Sequence, residues 1–184
     1  MSKTLTTKKL VFSAMAIALA TVISVAVKLP SLPNGGSVTL FSMLIISLVG
    51  YWFGPVCGII SAITYGILQY LVGPYFVHPL QVLLDYPLAF GALGLSGLFY
   101  KRKHGLIMGY LTAILGRFLF HCISGIIFYT EYVGDLTGNL VAIWGGILYN
   151  MSYIFPEAIL TLILLALPPV SNALKQVKTM AVSE

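Results

Sequence analysis

The stretch "GRFLFHCISGIIFYTEY", residues 116–132, sets the terms for the whole chain. Eleven of its first fourteen residues are apolar or glycine, yet Arg117 and His121 stand one helical turn apart in the middle. A run this apolar is destined for lipid or a protein core. Ionisable groups at membrane depth are expensive, and they face a bundle interior or a cavity, where they mark a functional site.

The rest of the chain fits that frame. Only 8% of its 184 residues are charged and 59% are apolar, with a mean hydropathy of +0.98, against roughly 25% charged in soluble domains. The length suits a single domain over residues 1–184. A bilayer core takes about 20 apolar residues per helix, and the turn signals divide the chain into six such runs at 9–29, 38–53, 55–72, 79–99, 105–128 and 138–167. The second and third are short and meet at Gly54-Pro55, so five or seven spans are the alternatives. The expected fold is therefore an all-α integral membrane protein, a bundle of six transmembrane helices.

The charges test this division separately, because Lys and Arg collect on cytoplasmic loops. With both termini inside, Lys3, Lys8, Lys9, Lys101, Arg102, Lys103, Lys175 and Lys178 fall in the cytoplasm and only Lys28 outside, a split of 8 to 1, with Arg117 inside a span. Glu131 and Asp135 lie on the last outer loop. The net charge of +5 thus reflects membrane topology, and nucleic acid is not an expected partner. Lys8 and Lys9 ahead of the first run, with Ser24-Val25-Ala26 near its end, imitate a secretory signal. The chain beyond that run is more membrane, which favours its retention as a first span. Cys57 and Cys122 sit inside apolar runs without disulfide or metal spacing and serve as packing residues.

Polar residues inside the spans carry the functional signal. In the fourth run Gln81 and Asp85 share a face at i, i+4, with Tyr86 beside them and Pro87 loosening the turn. In the fifth, Arg117, His121, Ser124, Gly125 and Phe128 form one stripe. In the sixth, Asn150, Tyr153 and Glu157 recur at i, i+3, i+7. At about 1.5 Å per residue, Asp85 lies roughly 9 Å from the outer end, His121 roughly 10 Å and Asn150 roughly 18 Å. Glu157 is deeper and belongs to a different interaction. An Arg117–Asp85 ion pair closing the bundle is the structural alternative. With Tyr75, Tyr86, Tyr129 and Trp144 near the same level, the pattern suits a flat ring carrying positive charge, and a carboxylate or amide edge accepts hydrogen bonds from an amino-substituted heterocycle. In the first run, Ala14 with Ala18, and Ala16 with Ala20, have the small-xxx-small spacing that permits close helix approach in lipid.

The segments "VHPLQVLLDYPLAFGALGLSGLF", "GRFLFHCISGIIFY" and "LYNMSYIFPEAIL" resemble the thiamine-specific substrate-binding components of energy-coupling factor (ECF) transporters. The resemblance implies a membrane protein that captures thiamine from outside and associates with a transmembrane coupling subunit and two cytoplasmic ATPase subunits. By that resemblance Asp85, Tyr86, Tyr75, His121, Gly125, Tyr129 and Asn150 are ligand contacts, Arg117 a basic position one turn before His121, and Trp144 the nearest stand-in for an aromatic where this chain has Gly145. Ala14 and Ala18 become the docking stripe for the coupling subunit, with internal packing as the alternative. Gly35 and Gly36 stand where some members carry a tryptophan. No cofactor beyond the transported ligand is implied.

No P-loop is present, so energy must come from elsewhere. Three other functions remain open: an S-component for another vitamin, a membrane enzyme using Asp85 and His121 as acid and base, and an autonomous carrier. The enzyme is disfavoured by the lack of a nucleophile or metal set, the carrier by the lack of evident inverted repeats.

Overall fold

The computed structural model describes residues 7–27, 32, 36–133 and 139–183, with the side chains of 129–133 and 139–142 outside that description. The described residues form helices α1 (Thr7–Ala26), α2 (Ser42–Phe53), α3 (Pro55–Val72), α4 (Pro79–Phe99), α5 (Gly105–Val133), α6 (Asn139–Ala166) and α7 (Pro168–Val182). Five of them, α1, α3, α4, α5 and α6, are long and apolar enough to cross a membrane, and α2 is a shorter apolar helix. Their outer surfaces are covered with exposed apolar side chains, such as Met15 and Val22 on α1 and Leu115 and Leu119 on α5. In water such a surface would aggregate; in lipid it is the ordinary outside of a helical bundle.

The second run is helical only from Ser42, four residues later than its apolar pattern suggests. Phe41, at the helix entrance, has a left-handed backbone with φ 67° and makes no side-chain cap. The Thr39 and Ser42 hydroxyls bond each other at 2.8 Å, and Leu40 N–H donates to the Val27 carbonyl at 3.2 Å. Local side-chain bonding of this kind competes with helix formation. At 12 residues and about 1.5 Å each, α2 covers only part of a bilayer core.

The fourth run changes winding along its length. Pro79 opens it at a position where a missing N–H costs nothing, and the His78 Nδ1 accepts from Leu80 N–H at 3.1 Å. Pro87 cannot donate to Leu83, and Leu84–Leu88 widens into a π-turn whose closing bond runs from Ala89 N–H to the Leu84 carbonyl. Asp85 and Tyr86 lie on this widened turn. Beyond Gly91 the chain tightens to a 3₁₀ helix, Ala92–Phe99, tied to α2 by the Ser96 hydroxyl, which donates to the Ser47 carbonyl at 2.7 Å.

Helix α7 lies beyond the six apolar runs, after Pro168 and Pro169 stop α6. It is amphipathic, turning Leu174, Val177 and Ala181 inward. Lys178 seats its ammonium over the Tyr51 ring, 3.6 Å from the centroid, and donates to the Tyr100 carbonyl at 2.6 Å; burial pulls its pKa below the usual lysine value. Lys8 donates to the Ser183 carbonyl. The basic residues Lys8, Lys9, Lys101, Arg102, Lys103, Lys175 and Lys178 thus gather at one end of the bundle, where α1 begins and α4 gives way to α5. On α1, Ser13, Ala16, Ala20 and Ser24 face inward, whereas Ala14 and Ala18 are exposed.

Candidate ligand-binding site

A cavity of about 600 Å³ opens at the end of the bundle opposite the basic cluster. Because successive helices run in alternate directions, that end brings together the last turns of α1 and α3, the first turns of α4 and α6, the later half of α5 and the segment 36–39. Asp85, Tyr86, Tyr75, Arg117, His121, Gly125 and Asn150 all contribute to its wall. The three polar patterns read along separate helices therefore converge.

A directed chain of hydrogen bonds crosses the wall. Val77 N–H donates to Gln81 Oε1 at 2.9 Å, and Gln81 Nε2 donates to Asp85 Oδ2 at 2.9 Å. From the other side Arg117 Nε–H donates to His121 Nε2 at 3.3 Å, and His121 Nδ1 meets Asp85 Oδ1 at 2.9 Å. A guanidinium N–H can only donate, so Nε2 accepts and the ring proton sits on Nδ1, facing the carboxylate. Asp85 is the common acceptor of both arms. Each carboxylate oxygen keeps accepting capacity, since an ionised carboxylate offers about four lone-pair sites.

Arg117 does not pair directly with Asp85: among the described residues the carboxylate meets the His121 imidazole instead, Nδ1 to Oδ1 at 2.9 Å. Arg117 reaches the acid only through the imidazole, and its guanidinium lies 4.2 Å from the Phe90 ring centroid. Asn150 is engaged by the protein. Its Nδ2 donates to the His121 carbonyl at 2.9 Å and to the Gly146 carbonyl at 2.8 Å, while Oδ1 accepts from the Tyr153 hydroxyl at 2.6 Å. The bond to His121 puts Asn150 at that residue's level, although counting from the helix ends separates them. A methyl group at Gly125 would come within 3.0 Å of Asn150 Nδ2 and 3.4 Å of Gly146, so a glycine there lets α5 and α6 close on each other.

Tyr86 turns its hydroxyl outward, accepting from Tyr75 N–H at 3.0 Å and holding the 73–75 loop beside the cavity mouth. Its ring is stacked with Phe90 at 6.4 Å. Trp144 is not brought to the cavity and is 60% exposed. It is six residues before Asn150, about 240° around the helix, and so points away. The side chain of Tyr129, like Gly35, lies outside the described residues. Phe128 leaves the stripe to stack on His78 at 5.3 Å.

Four aromatic residues complete the wall: Tyr65, Phe90, Tyr149 and Tyr153. Tyr65 and Phe90, packed edge to face at 5.3 Å, occur in predominantly apolar runs, where an aromatic signals only core. Tyr149 accepts from Gly36 N–H at 2.7 Å, and a side chain at position 36 would collide with Tyr149 and Tyr153. That contact fastens the first interhelical segment to α6. Glu157, two turns deeper on the face of Asn150, caps α2: it accepts from Met43 N–H at 3.1 Å, and the Thr39 and Ser42 hydroxyls, which also bond each other, lie 3.1 and 3.4 Å from its carboxyl oxygens. Among the described residues no three His, Cys, Asp or Glu side chains come together as a metal site.

A flat, ring-bearing molecule with donors on one edge fits such a pocket: aromatic faces for stacking, one carboxylate poised between two donors, and a volume within the 300–1,000 Å³ typical of small-molecule sites. Known proteins agree with the architecture. ThiT from Listeria monocytogenes has the same fold, with a TM-score of 0.64 over 88% of this chain and 94% of that one, at 21% sequence identity. The thiamine transporter ThiT of Bacillus subtilis (strain 168) is 34% identical over 151 residues, 74% of this chain and 77% of the relative. The thiamine transporter protein family model (Thia_YuaJ) matches residues 10–177, and the chain belongs to that family.

Proposed function

We propose that this protein captures thiamine at the outer face of the cell membrane as the substrate-binding component of an ECF transporter. The observation that carries the proposal is Asp85, held as the acceptor of two converging donors in an aromatic-walled cavity. An aminopyrimidine donates to its remaining lone pairs, and the thiazolium is attracted by the carboxylate and the surrounding ring faces. His121 and Gln81 fix the carboxylate, Arg117 fixes His121, and Asn150 holds α5 against α6. Tyr75, Tyr86 and Tyr149 frame the mouth.

Transport needs an energy source that the chain does not carry. The exposed Ala14–Ala18 stripe offers a flat strip where a transmembrane coupling subunit can approach closely, with two cytoplasmic ATPases supplying the work. Its exposure favours docking over packing within the bundle, for which Ala16 and Ala20 serve. The basic end faces the cytoplasm in this scheme, with both termini inside, and the cavity opens outward.

The test is calorimetric titration of the purified chain with thiamine, riboflavin and biotin, followed by uptake into vesicles with and without the partner subunits. Binding of thiamine alone, with uptake only when partners are present, is expected. Uptake by the chain by itself would point to an autonomous carrier, and chemical turnover of the ligand to an enzyme.

A further inference from the structure

We propose that the cleft between α7 and the closing turn of α2 is a binding site for the phosphate of an anionic phospholipid. Tyr51, Lys175, Lys178, Thr179, Val182 and Ser183 line this cleft, at the end of the bundle opposite the vitamin cavity. Its ammonium groups have hydrogen-bonding capacity to spare. Lys175 is exposed and meets no acceptor among the described residues. Lys178 gives one N–H to the Tyr100 carbonyl, and the neighbouring Lys8 donates to the carbonyl and hydroxyl oxygens of Ser183; an ammonium has three such donors. The Thr179 and Ser183 hydroxyls already donate to the Lys175 and Met180 carbonyls, both at 3.1 Å, which leaves recognition to the lysines. Every charged side chain described at this end is a lysine or an arginine. The described carboxylates, Asp85 and Glu157, belong to the vitamin cavity and to the start of α2.

Position selects a lipid over a soluble anion. Lys8 stands on the first turn of α1, and Val11 and Met15 continue its face as exposed apolar side chains. A helix face that changes from ammonium to hydrocarbon within one turn marks the level where headgroups give way to acyl chains. Tyr51, whose ring centroid lies 3.6 Å from the Lys178 ammonium, is an aromatic at that same level, where such rings are enriched. A phosphodiester held by Lys8, Lys175 and Lys178 can therefore lay its acyl chains along Val11 and Met15, on the lipid-facing side of α1. A free anion gains nothing from that hydrocarbon neighbour. Net charge then selects among lipids, because choline cancels the phosphate charge of phosphatidylcholine and glycerol leaves that of phosphatidylglycerol intact. Each lysine beside a membrane surface strengthens binding to anionic lipid by about fivefold. Lipid bound there joins α7 to α1 and stabilises the folded bundle by mass action.

The experiment places the purified full chain in detergent micelles mixed with phosphatidylglycerol or phosphatidylcholine and reads lipid retention by native mass spectrometry, together with the melting temperature. Phosphatidylglycerol should be retained at least about fivefold better than phosphatidylcholine and should raise the melting temperature more. Lys175→Gln should lower phosphatidylglycerol retention about fivefold, with an unchanged thiamine affinity showing that the bundle is intact. Lys103→Gln removes the same charge from the same end without altering the cleft lining, and it should change retention by less than about twofold. Equal retention of the two lipids would overturn the proposal. So would equal losses in the two variants, which describe a diffuse positive surface and no site. Inorganic phosphate added without lipid should leave the melting temperature where it is; a rise matching that given by phosphatidylglycerol would assign the cleft to a free anion. Undiminished retention in Lys175→Gln, with loss of partner-dependent uptake, would give the cleft to a protein partner instead.

Discussion

Replacing Asp85 with asparagine changes one atom, yet the hydrogen bonding around it has no neutral solution. Asp85 accepts from Gln81 Nε2 on one oxygen and from His121 Nδ1 on the other, both at 2.9 Å. Asparagine offers one accepting oxygen and one donating amide, so one arm must face donor to donor. If Gln81 flips to accept, its own amide is turned against Val77 N–H. If His121 shifts its proton to Nε2, that proton opposes Arg117 Nε–H. Whichever arm gives way, a charge-assisted hydrogen bond is lost inside the bundle, at about 1.5–3 kcal/mol. The ligand's aminopyrimidine loses its anionic acceptor at the same time. Asp85→Asn should therefore weaken thiamine binding roughly tenfold to a hundredfold. The assay is calorimetry on the purified variant, with circular dichroism showing that the helices remain. An unchanged dissociation constant in folded protein would refute the assignment of Asp85 as the centre of the site.

Other consequences can be checked independently. Ala14→Trp or Ala18→Trp, on the exposed face of α1, should abolish partner-dependent uptake while leaving thiamine affinity within about twofold; equal loss of binding would mean the stripe supports the bundle instead. Gly125→Ala should lower the melting temperature, because Asn150 is tied to two carbonyls and one hydroxyl and cannot retreat from the new methyl; overpacking of this kind costs about 1–3 kcal/mol. A thermal shift of zero in detergent would contradict the rigidity assigned to Asn150. A cysteine at Phe76, beside the cavity mouth, should react with an impermeant reagent added outside intact cells, and one at Arg102 should not; the reverse pattern would invert the orientation. Lys178→Ala, which removes the contact with Tyr51 and the bond to Tyr100, should make α7 more protease-sensitive without changing thiamine affinity.

Much of this protein is legible along the chain because helical geometry is local. The apolar runs mark five of the long helices, and the i, i+4 spacing of Gln81 with Asp85 and of Arg117 with His121 places each pair on one face whatever the packing. Pro87 announces a disturbed turn, and the basic residues predict which of them share one end of the bundle. The second run, apolar from 38, departs from its pattern only where Thr39, Ser42 and Glu157 offer the backbone a competing set of bonds, and Glu157 lies 115 residues from Ser42.

What periodicity cannot supply is the rotation of one helix against another. That rotation puts His121 between Arg117 and Asp85, although opposite charges alone suggest a direct pair. It turns Trp144 to the outside while Tyr149 reaches Gly36, and it aims the Ala16–Ala20 stripe inward and Ala14–Ala18 outward, though both have the same spacing. It also commits Asn150 to carbonyls on both α5 and α6. The order of residues suffices for the helices, their polar faces and the family to which the chain belongs. Which faces meet, and therefore which polar groups are consumed in holding the bundle and which remain for a ligand, is settled by packing, because those energies depend on contacts between segments distant in the chain.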